Sequence, residues 1–212
     1  MDKGAIKNFA VEARKILIKS AVTEAGLYGV TKDGCSEPIQ KGNDFEVYKT
    51  IAGTENRIYG NTIKKRFNLV KAIEKHGFEQ VMEETAYTWF NRLIAIRFME
   101  VNDYLPTRVR VLSSETAGKR EPDIVTQFLD VDLNMTPEEL EDIQKAKEEN
   151  KYDDAFRMLF INQCNELNEI LPGLFEKTDD YMELLLKISY TTDGVVRMLI
   201  DTVAEENFDV ER

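Results

Sequence analysis

The residues of this chain with the clearest chemical potential are basic side chains that stand in clusters. Between Asn56 and Ile73 the sequence contains no acidic residue. The basic residues of this stretch are Arg57, Lys64, Lys65, Arg66 and Lys71. Guanidinium and ammonium groups bind phosphate oxygens through their charge and their N–H donors. The stretch could therefore serve a ligand that carries phosphates, such as a nucleic acid.

Two smaller basic pairs follow along the chain. Arg108 and Arg110 are separated by one residue, so in an extended segment both side chains would point the same way. Lys119 and Arg120 lie in a polar stretch that is typical of a flexible turn. Both pairs are further candidates for phosphate contacts.

Each basic cluster also has a purely structural explanation. Lys64, Lys65 and Arg66 open a predicted helix and could simply be its solvated face. The apolar stripe of that helix would consist of Ile63, Phe67, Val70 and Ile73. The second pair could be the polar side of a short edge strand, since charges at an edge discourage further pairing. The residue pattern leaves both explanations open.

Residues suited to catalysis or metal binding are scarce. His76 is the only histidine and precedes Gly77 at a predicted helix end, where both residues suit a C-terminal cap. Cys35 and Cys164 are far apart and lack metal-ligand spacing, which predicts free thiols. No two glycines are separated by a single residue, and all five prolines are isolated. We therefore expect no catalytic, metal-binding or cofactor-binding residue in this chain.

Charge is distributed unevenly between the two parts of the chain. The net charge is −11, with +4 in residues 1–112 and −15 in residues 113–212. A nucleic-acid ligand requires only a local basic face, so the overall acidity does not exclude one. The acidic residues near 138–149 would form either a solvated helix face or a surface for a basic protein.

The sequence predicts a cytoplasmic protein without a membrane segment. No apolar run approaches the roughly 18 residues that span a bilayer. The opening Met-Asp-Lys-Gly lacks the apolar region of a signal peptide.

Hydrophobic periodicity predicts an all-α fold, an irregular multi-helix bundle with at most one short strand or hairpin near residues 107–113. Residues 29–60 are expected to be irregular apart from a possible short helix near 45–51. Longer helices are expected at about 2–28, 61–75, 77–102, 136–149 and 152–170, with shorter ones near 122–129, 180–188 and 193–206.

The polar stretch 114–121 is the expected hinge between two parts of the chain. Residues 1–113 would form a helical part that carries the basic clusters, and residues 122–212 an acidic helical part. The two parts could also form one continuous domain.

Residues 86–101 predict a helix that is apolar on nearly every face, so it should be the central helix of the bundle, with Trp89 in the core. Arg97 and Glu100 are spaced to meet on one face of this helix. A buried arginine must find a partner or reach the rim.

The exact string carries more information than its periodicity. The run Ala-Tyr-Thr-Trp-Phe-Asn-Arg-Leu-Ile-Ala-Ile-Arg-Phe-Met-Glu-Val-Asn-Asp-Tyr-Leu-Pro of residues 86–106, continued by Arg-Val-Arg-Val-Leu-Ser-Ser at 108–114, resembles the N-terminal region of PglX-type adenine-specific DNA methyltransferases of BREX phage-defence systems. The opening Met-Asp-Lys-Gly-Ala-Ile-Lys-Asn-Phe-Ala is similar to the start of the same family. The resemblance covers the whole chain, whereas the family proteins are several times longer.

The resemblance implies that the full-length protein transfers a methyl group from S-adenosylmethionine to the exocyclic amine of adenine. The catalytic domain, with the cofactor and adenine-binding motifs, is expected after residue 212. We expect this chain to be a non-catalytic domain that helps to hold DNA or to orient the catalytic domain. DNA, the catalytic domain and other phage-defence subunits are the expected partners.

The candidate DNA-binding residues are Arg57, Lys64, Lys65, Arg66, Arg108, Arg110, Lys119 and Arg120. The alternative is a helical protein-docking module without nucleic-acid contact.

Overall fold

A computed structural model describes residues 2–173, 175 and 181–210 of the chain. Helices and short strands are arranged along it in the following order: α1 Lys3–Leu27, β1 Val30–Thr31, β2 Gly34–Cys35, β3 Gln40–Lys41, β4 Phe45–Lys49, β5 Glu55–Tyr59, α2 Gly60–His76, α3 Phe78–Val101, α4 Asp123–Gln127, α5 Pro137–Glu148, α6 Tyr152–Ile170, α7 Tyr181–Leu184, α8 Val195–Thr202, and a 3-10 turn at Glu205–Asn207.

The predicted longer helices are confirmed to within a few residues at each end. Asp2 caps α1 by accepting hydrogen bonds from the backbone N–H groups of Gly4 and Ala5, at 2.9 and 3.1 Å. A reciprocal capping box between Thr136 and Glu139 begins α5. The start at residue 180 that was expected for a later helix lies outside the described residues.

The all-α prediction is wrong, because residues 30–59 form two small antiparallel sheets. In one, β1 pairs with β2, and in the other the strand order is β3-β4-β5. The segment expected to be a short helix is strand β4, which pairs with β5 from Phe45 opposite Tyr59 to Lys49 opposite Glu55. Both faces of β4 carry apolar residues, so its two-residue alternation is obscured in the sequence. The fold is mixed, with helices dominant.

At most one short strand or hairpin was predicted near 107–113, and this fully described stretch forms neither. The reason is that a side chain takes the place of a partner strand. Glu100 Oε2 accepts hydrogen bonds from the backbone N–H groups of Val111 and Leu112, both at 2.8 Å. The segment is therefore held to the end of α3 by a carboxylate.

The chain divides into two compact units, each built from separate stretches. The first comprises the described parts of residues 1–13, 90–177 and 188–212; the second comprises those of 14–89 and 178–187. The hinge expected at 114–121 stays a prediction.

Each unit has its own apolar core. In the second unit Trp89 is 1% exposed and donates its indole N–H to the carbonyl of Met182 at 3.0 Å, which confirms that it is a core residue. In the first unit, Phe156 and Phe160 of α6 and Leu93 and Ile96 of α3 are fully buried. Among the described residues, no helix combines the length and the apolar character that a membrane span requires.

Candidate nucleic-acid interface

The face of helix α2 that is buried differs from the one that the sequence predicted. The predicted apolar stripe included Phe67 and placed Arg66 on the solvated side. In the structure Arg66 is 7% exposed and Leu69 is fully buried, whereas Phe67 is 55% exposed. The predicted arrangement of these two neighbours is therefore reversed.

Arg66 is held inside the second unit by three contacts. Its guanidinium carbon lies 3.5 Å from the centroid of the Tyr48 ring. Its Nε donates to the carbonyl of Tyr28 at 2.8 Å, and its Nη2 donates to the carbonyl of Ser36 at 2.7 Å. Burial lowers the pKa of Arg66, and the nearby Tyr48 opposes that shift. The group connects α2 to β4 and to the segments after α1, which is a structural role.

The two lysines before Arg66 differ in their surroundings. Lys65 forms an ion pair with Glu183, and both side chains are 19% exposed. Lys64 is exposed and has no carboxylate partner among the residues that the structure describes. Of the three adjacent candidates, Lys64 is therefore the one whose charge is exposed to solvent and not paired with a described carboxylate.

Two exposed cations of this unit, like the buried Arg66, lie over aromatic rings rather than beside carboxylates. The guanidinium carbon of Arg57 is 4.4 Å from the centroid of the Phe45 ring, and its Nη2 is 3.4 Å from Gln40 Oε1. Lys71 Nζ is 4.4 Å from the centroid of the exposed Phe67 ring. An aromatic ring attracts a cation without neutralising its charge. Both groups therefore keep a full positive charge for a ligand.

Lys71 and Phe67 are not among the candidate site residues that the sequence predicts. Lys71 was noted in the acid-free stretch, but Phe67 was assigned to the core. The spacing of Lys64, Phe67 and Lys71, at i, i+3 and i+7, is a signal that could have grouped them on one helix face.

The remaining four candidates belong to the first unit. Arg108 is exposed and has a φ of +53°, so the extended segment that would align it with Arg110 does not form. Arg110 forms an ion pair with Glu205. Lys119 donates to Asp123 Oδ1 at 3.2 Å and to Thr126 Oγ1 at 2.7 Å. Arg120 is exposed, and no carboxylate lies beside it in the described part of the chain.

Asp123 fastens the loop that carries Lys119 and Arg120. Its carboxylate accepts hydrogen bonds from Ser114 Oγ at 2.6 Å and from the backbone N–H of Glu115 at 2.8 Å. Burial alone would raise the pKa of Asp123, but these hydrogen bonds and the one from Lys119 together lower it. The exposed Arg120 therefore lies on a loop that the hydrogen bonds of Asp123 hold in place.

The expected contact between Arg97 and Glu100 is confirmed, with Nη1 2.7 Å from Oε1. Arg97 Nη2 also lies 3.1 Å from Glu205 Oε1, and the same carboxylate pairs with Arg110. Burial would raise the pKa of Glu205, but the hydrogen bond from Arg110 and the charge of Arg97 lower it. The sequence offered no signal that a residue so far along the chain would complete this network.

Other chemical groups do not assemble into a site within the described residues. No group of three His, Cys, Asp or Glu residues there could hold a metal ion. Cys164 is buried, and Cys35 is partly buried, which raises the pKa of its thiol. Exposed cations without carboxylate partners are therefore the clearest candidate for ligand binding.

Two curated proteins match nearly the whole chain. The chain is 43% identical over its full length to the adenine-specific methyltransferase PglX of Lacticaseibacillus casei (strain Zhang) and covers 18% of that protein. Over 99% of its length it is 34% identical to the adenine-specific methyltransferase BrxX of Escherichia coli O9:H4 (strain HS) and covers 17% of it. The chain thus spans less than a fifth of either relative, and no protein-family profile matches it. Along its whole length, this chain matches the N-terminal region of PglX-type adenine-specific methyltransferases.

Proposed function

We propose that this chain is a non-catalytic DNA-holding domain of an adenine-specific DNA methyltransferase of a phage-defence system. The reaction of the whole protein would be S-adenosylmethionine-dependent methylation of the exocyclic amine of adenine. Amino-methyltransferases bind S-adenosylmethionine at a Gly-rich turn, and they bind the target adenine, flipped out of the duplex, at a motif that contains Pro-Pro. This chain has neither a Gly-x-Gly turn nor a Pro-Pro motif. The cofactor and the flipped adenine would therefore be bound by other parts of the protein.

The observation that carries this proposal is the exposed charge of α2. Lys64 and Lys71 lie on one solvent-facing side of the helix without a carboxylate partner among the described residues. They also lie within the acid-free stretch that follows Asn56. The two ammonium groups would donate hydrogen bonds to phosphate oxygens of duplex DNA, and this binding would release counterions that are condensed on the DNA.

The eight sequence candidates would divide into two groups under this proposal. In the second unit, contacts to the ligand would come from Arg57 and Lys64, joined by Lys71. In the first unit, Arg108 and Arg120 are separate candidates. Structural ion pairs and hydrogen bonds engage Lys65, Arg66, Arg110 and Lys119. Charge reversal in the second group would destabilise the fold, so a loss of DNA binding by such a variant would not identify a DNA contact.

The test is the salt dependence of duplex binding by the 212-residue chain. In fluorescence anisotropy with a labelled duplex, Lys64→Glu combined with Lys71→Glu should weaken binding to all sequences alike. It should also flatten the plot of log affinity against log salt by about one unit per lost contact. Lys145→Glu is the control for Lys64→Glu alone, because each reverses one charge and Lys145 is exposed on the acidic helix α5.

An unchanged affinity and salt slope for the double variant would overturn the DNA proposal. The second candidate, a protein-docking module, would then be favoured. The observation behind it is the exposed acidic face of α5, where Glu138, Glu141 and Asp142 are exposed. Such a face suits a basic protein surface, for example on the catalytic domain.

A further inference from the structure

The solvent-facing side of α2 combines charge with an exposed aromatic ring. Gly60, Lys64, Phe67, Lys71 and Lys75 follow each other at intervals of three or four residues, and all are exposed. Glu74, also exposed, is the acidic residue at the C-terminal end of this side. Phe67 keeps 55% of its surface in solvent, although a phenylalanine is normally buried. What distinguishes Phe67 from other exposed apolar residues is its position between Lys64 and Lys71, a combination that suits a ligand with both an apolar and an anionic part.

The strand that leads into α2 repeats this combination. Tyr59, the last residue of β5, immediately precedes α2 and is 53% exposed. Its ring centroid lies 6.3 Å from that of Phe45, and Arg57 lies over the Phe45 ring. In the β4–β5 register, Phe45 is opposite Tyr59 and Val47 is opposite Arg57, so the aromatic rings and the guanidinium share one face of the sheet. Tyr48, over which Arg66 of α2 lies, is on the other face, so this patch is separate from the exposed side of α2.

The surroundings of the rings favour a nucleic acid over a protein helix. A partner helix that docks on a protein places its apolar residues at i, i+3, i+4 and i+7 into an apolar groove of that protein. This side of α2 does not offer such a groove, because Phe67 lies between Lys64 and Lys71. Nucleotides without a base-pairing partner expose a flat apolar face beside a phosphate, and proteins bind them by stacking on aromatic rings in a basic groove.

We infer that two separate patches, Phe67 with Lys64 and Lys71 on α2 and Tyr59 with Arg57 on β5, bind unpaired nucleotides of a single DNA strand. The rings would stack on bases, while the cations contact the adjoining phosphates. This inference rests on the proposed DNA-holding function and assigns it a preferred form of DNA. Stacking requires an exposed base, so these rings should contribute to single-strand binding and not to duplex binding.

The experiment compares three labelled ligands with the 212-residue chain in fluorescence anisotropy. These are a short oligothymidylate, an abasic strand of the same length and a duplex. The wild-type chain should bind the oligothymidylate at least about ten-fold more tightly than the abasic strand, because each stacked base contributes substantially to affinity. Phe67→Leu and Tyr59→Leu should each weaken oligothymidylate binding by about ten-fold and leave the abasic strand and the duplex unaffected.

The salt slope separates this inference from the proposed function. The leucine variants remove rings and no charge, so their salt slopes should equal that of the wild type, whereas Lys64→Glu with Lys71→Glu should flatten the slope for every ligand. Tyr87→Leu is the matched control, because Tyr87 is 68% exposed on α3 of the same unit. Circular dichroism would show that the variants remain folded.

Several results would overturn the inference. Equal binding of the oligothymidylate and the abasic strand would mean that only phosphates are bound. Duplex binding that depends on Lys64 and Lys71 but not on Phe67 or Tyr59 would leave the DNA-holding function intact and remove the stacking role. Tight binding of a polyglutamate peptide that is weakened by Phe67→Leu would make the surface a protein-docking site. Absence of binding to any DNA ligand would overturn both proposals together.

Discussion

Arg97 and Glu100 form an ion pair that is almost completely withdrawn from solvent, with side chains 2% and 0% exposed. Glu100 also accepts hydrogen bonds from Ser113 Oγ at 3.0 Å and from the backbone N–H groups of Val111 and Leu112. The carboxylate therefore satisfies a buried charge, a hydroxyl and two backbone donors at once. A buried charge that loses its partner is strongly destabilising, because nothing compensates its lost hydration.

We predict that Glu100→Ala lowers the free energy of unfolding by roughly 3–5 kcal/mol. Urea unfolding followed by far-ultraviolet circular dichroism would measure the change. Glu205→Ala is the control, because that side chain is 46% exposed and shares the same arginine. The control should cost about 1 kcal/mol or less. Equal losses for the two variants would contradict the central role of Glu100.

A second prediction concerns Trp89 in the core of the other unit. Trp89→Ala should lower the free energy of unfolding by about 3–5 kcal/mol, as large aromatic truncations in cores do. Trp89→Phe should retain part of the packing but lose the hydrogen bond to Met182, and should therefore fall between the wild type and the alanine variant. Thermal and urea unfolding provide the measurement.

The control for Trp89 lies two residues earlier on the same helix. Tyr87 is 68% exposed, so Tyr87→Ala should change stability by no more than about 0.5 kcal/mol. A Trp89→Ala variant that melts within a degree or two of the wild type would exclude a core position for the indole.

The helices could be predicted from the sequence because their signals are local. Asp2, Thr136 and Glu139 mark helix starts within a few residues of the bonds that they form. The β4–β5 hairpin was missed although it is also local: only residues 50–54 separate its strands, and Gly53 in this turn has a φ of +82°. Apolar residues on both faces of β4 removed the alternation that would have identified a strand.

The candidate site shows the same limit at the level of single residues. Local hydrophobicity assigned Phe67 to the core and Arg66 to solvent. The structure buries Arg66 because a Tyr48 ring and two backbone carbonyls, distant in sequence, provide its partners. Clusters of basic residues could be found in the sequence by counting charges. Which of these residues are engaged in structural hydrogen bonds or ion pairs, and which are exposed, depends on partners that only the structure shows.

The final prediction uses the tyrosine beneath Arg66. Tyr48 is 2% exposed, and its hydroxyl donates a hydrogen bond to Glu46. Burial, with this hydrogen bond, raises the pKa of Tyr48 to about 12, although the charge of Arg66 acts in the opposite direction. The folded state therefore holds the Tyr48 proton more tightly than the unfolded chain, whose tyrosines titrate near pH 10.

This difference fixes the sign of the pH dependence. The stabilisation linked to the Tyr48 proton is fully present below about pH 10 and is lost as the pH rises from about 10 to 12. Urea unfolding of the wild type and Tyr48→Phe between pH 8 and the alkaline limit of folding would measure it. Because phenylalanine does not titrate, the wild type should lose up to about 2–3 kcal/mol relative to the variant over that range. A constant difference between the wild type and Tyr48→Phe would show that the Tyr48 proton is not linked to folding.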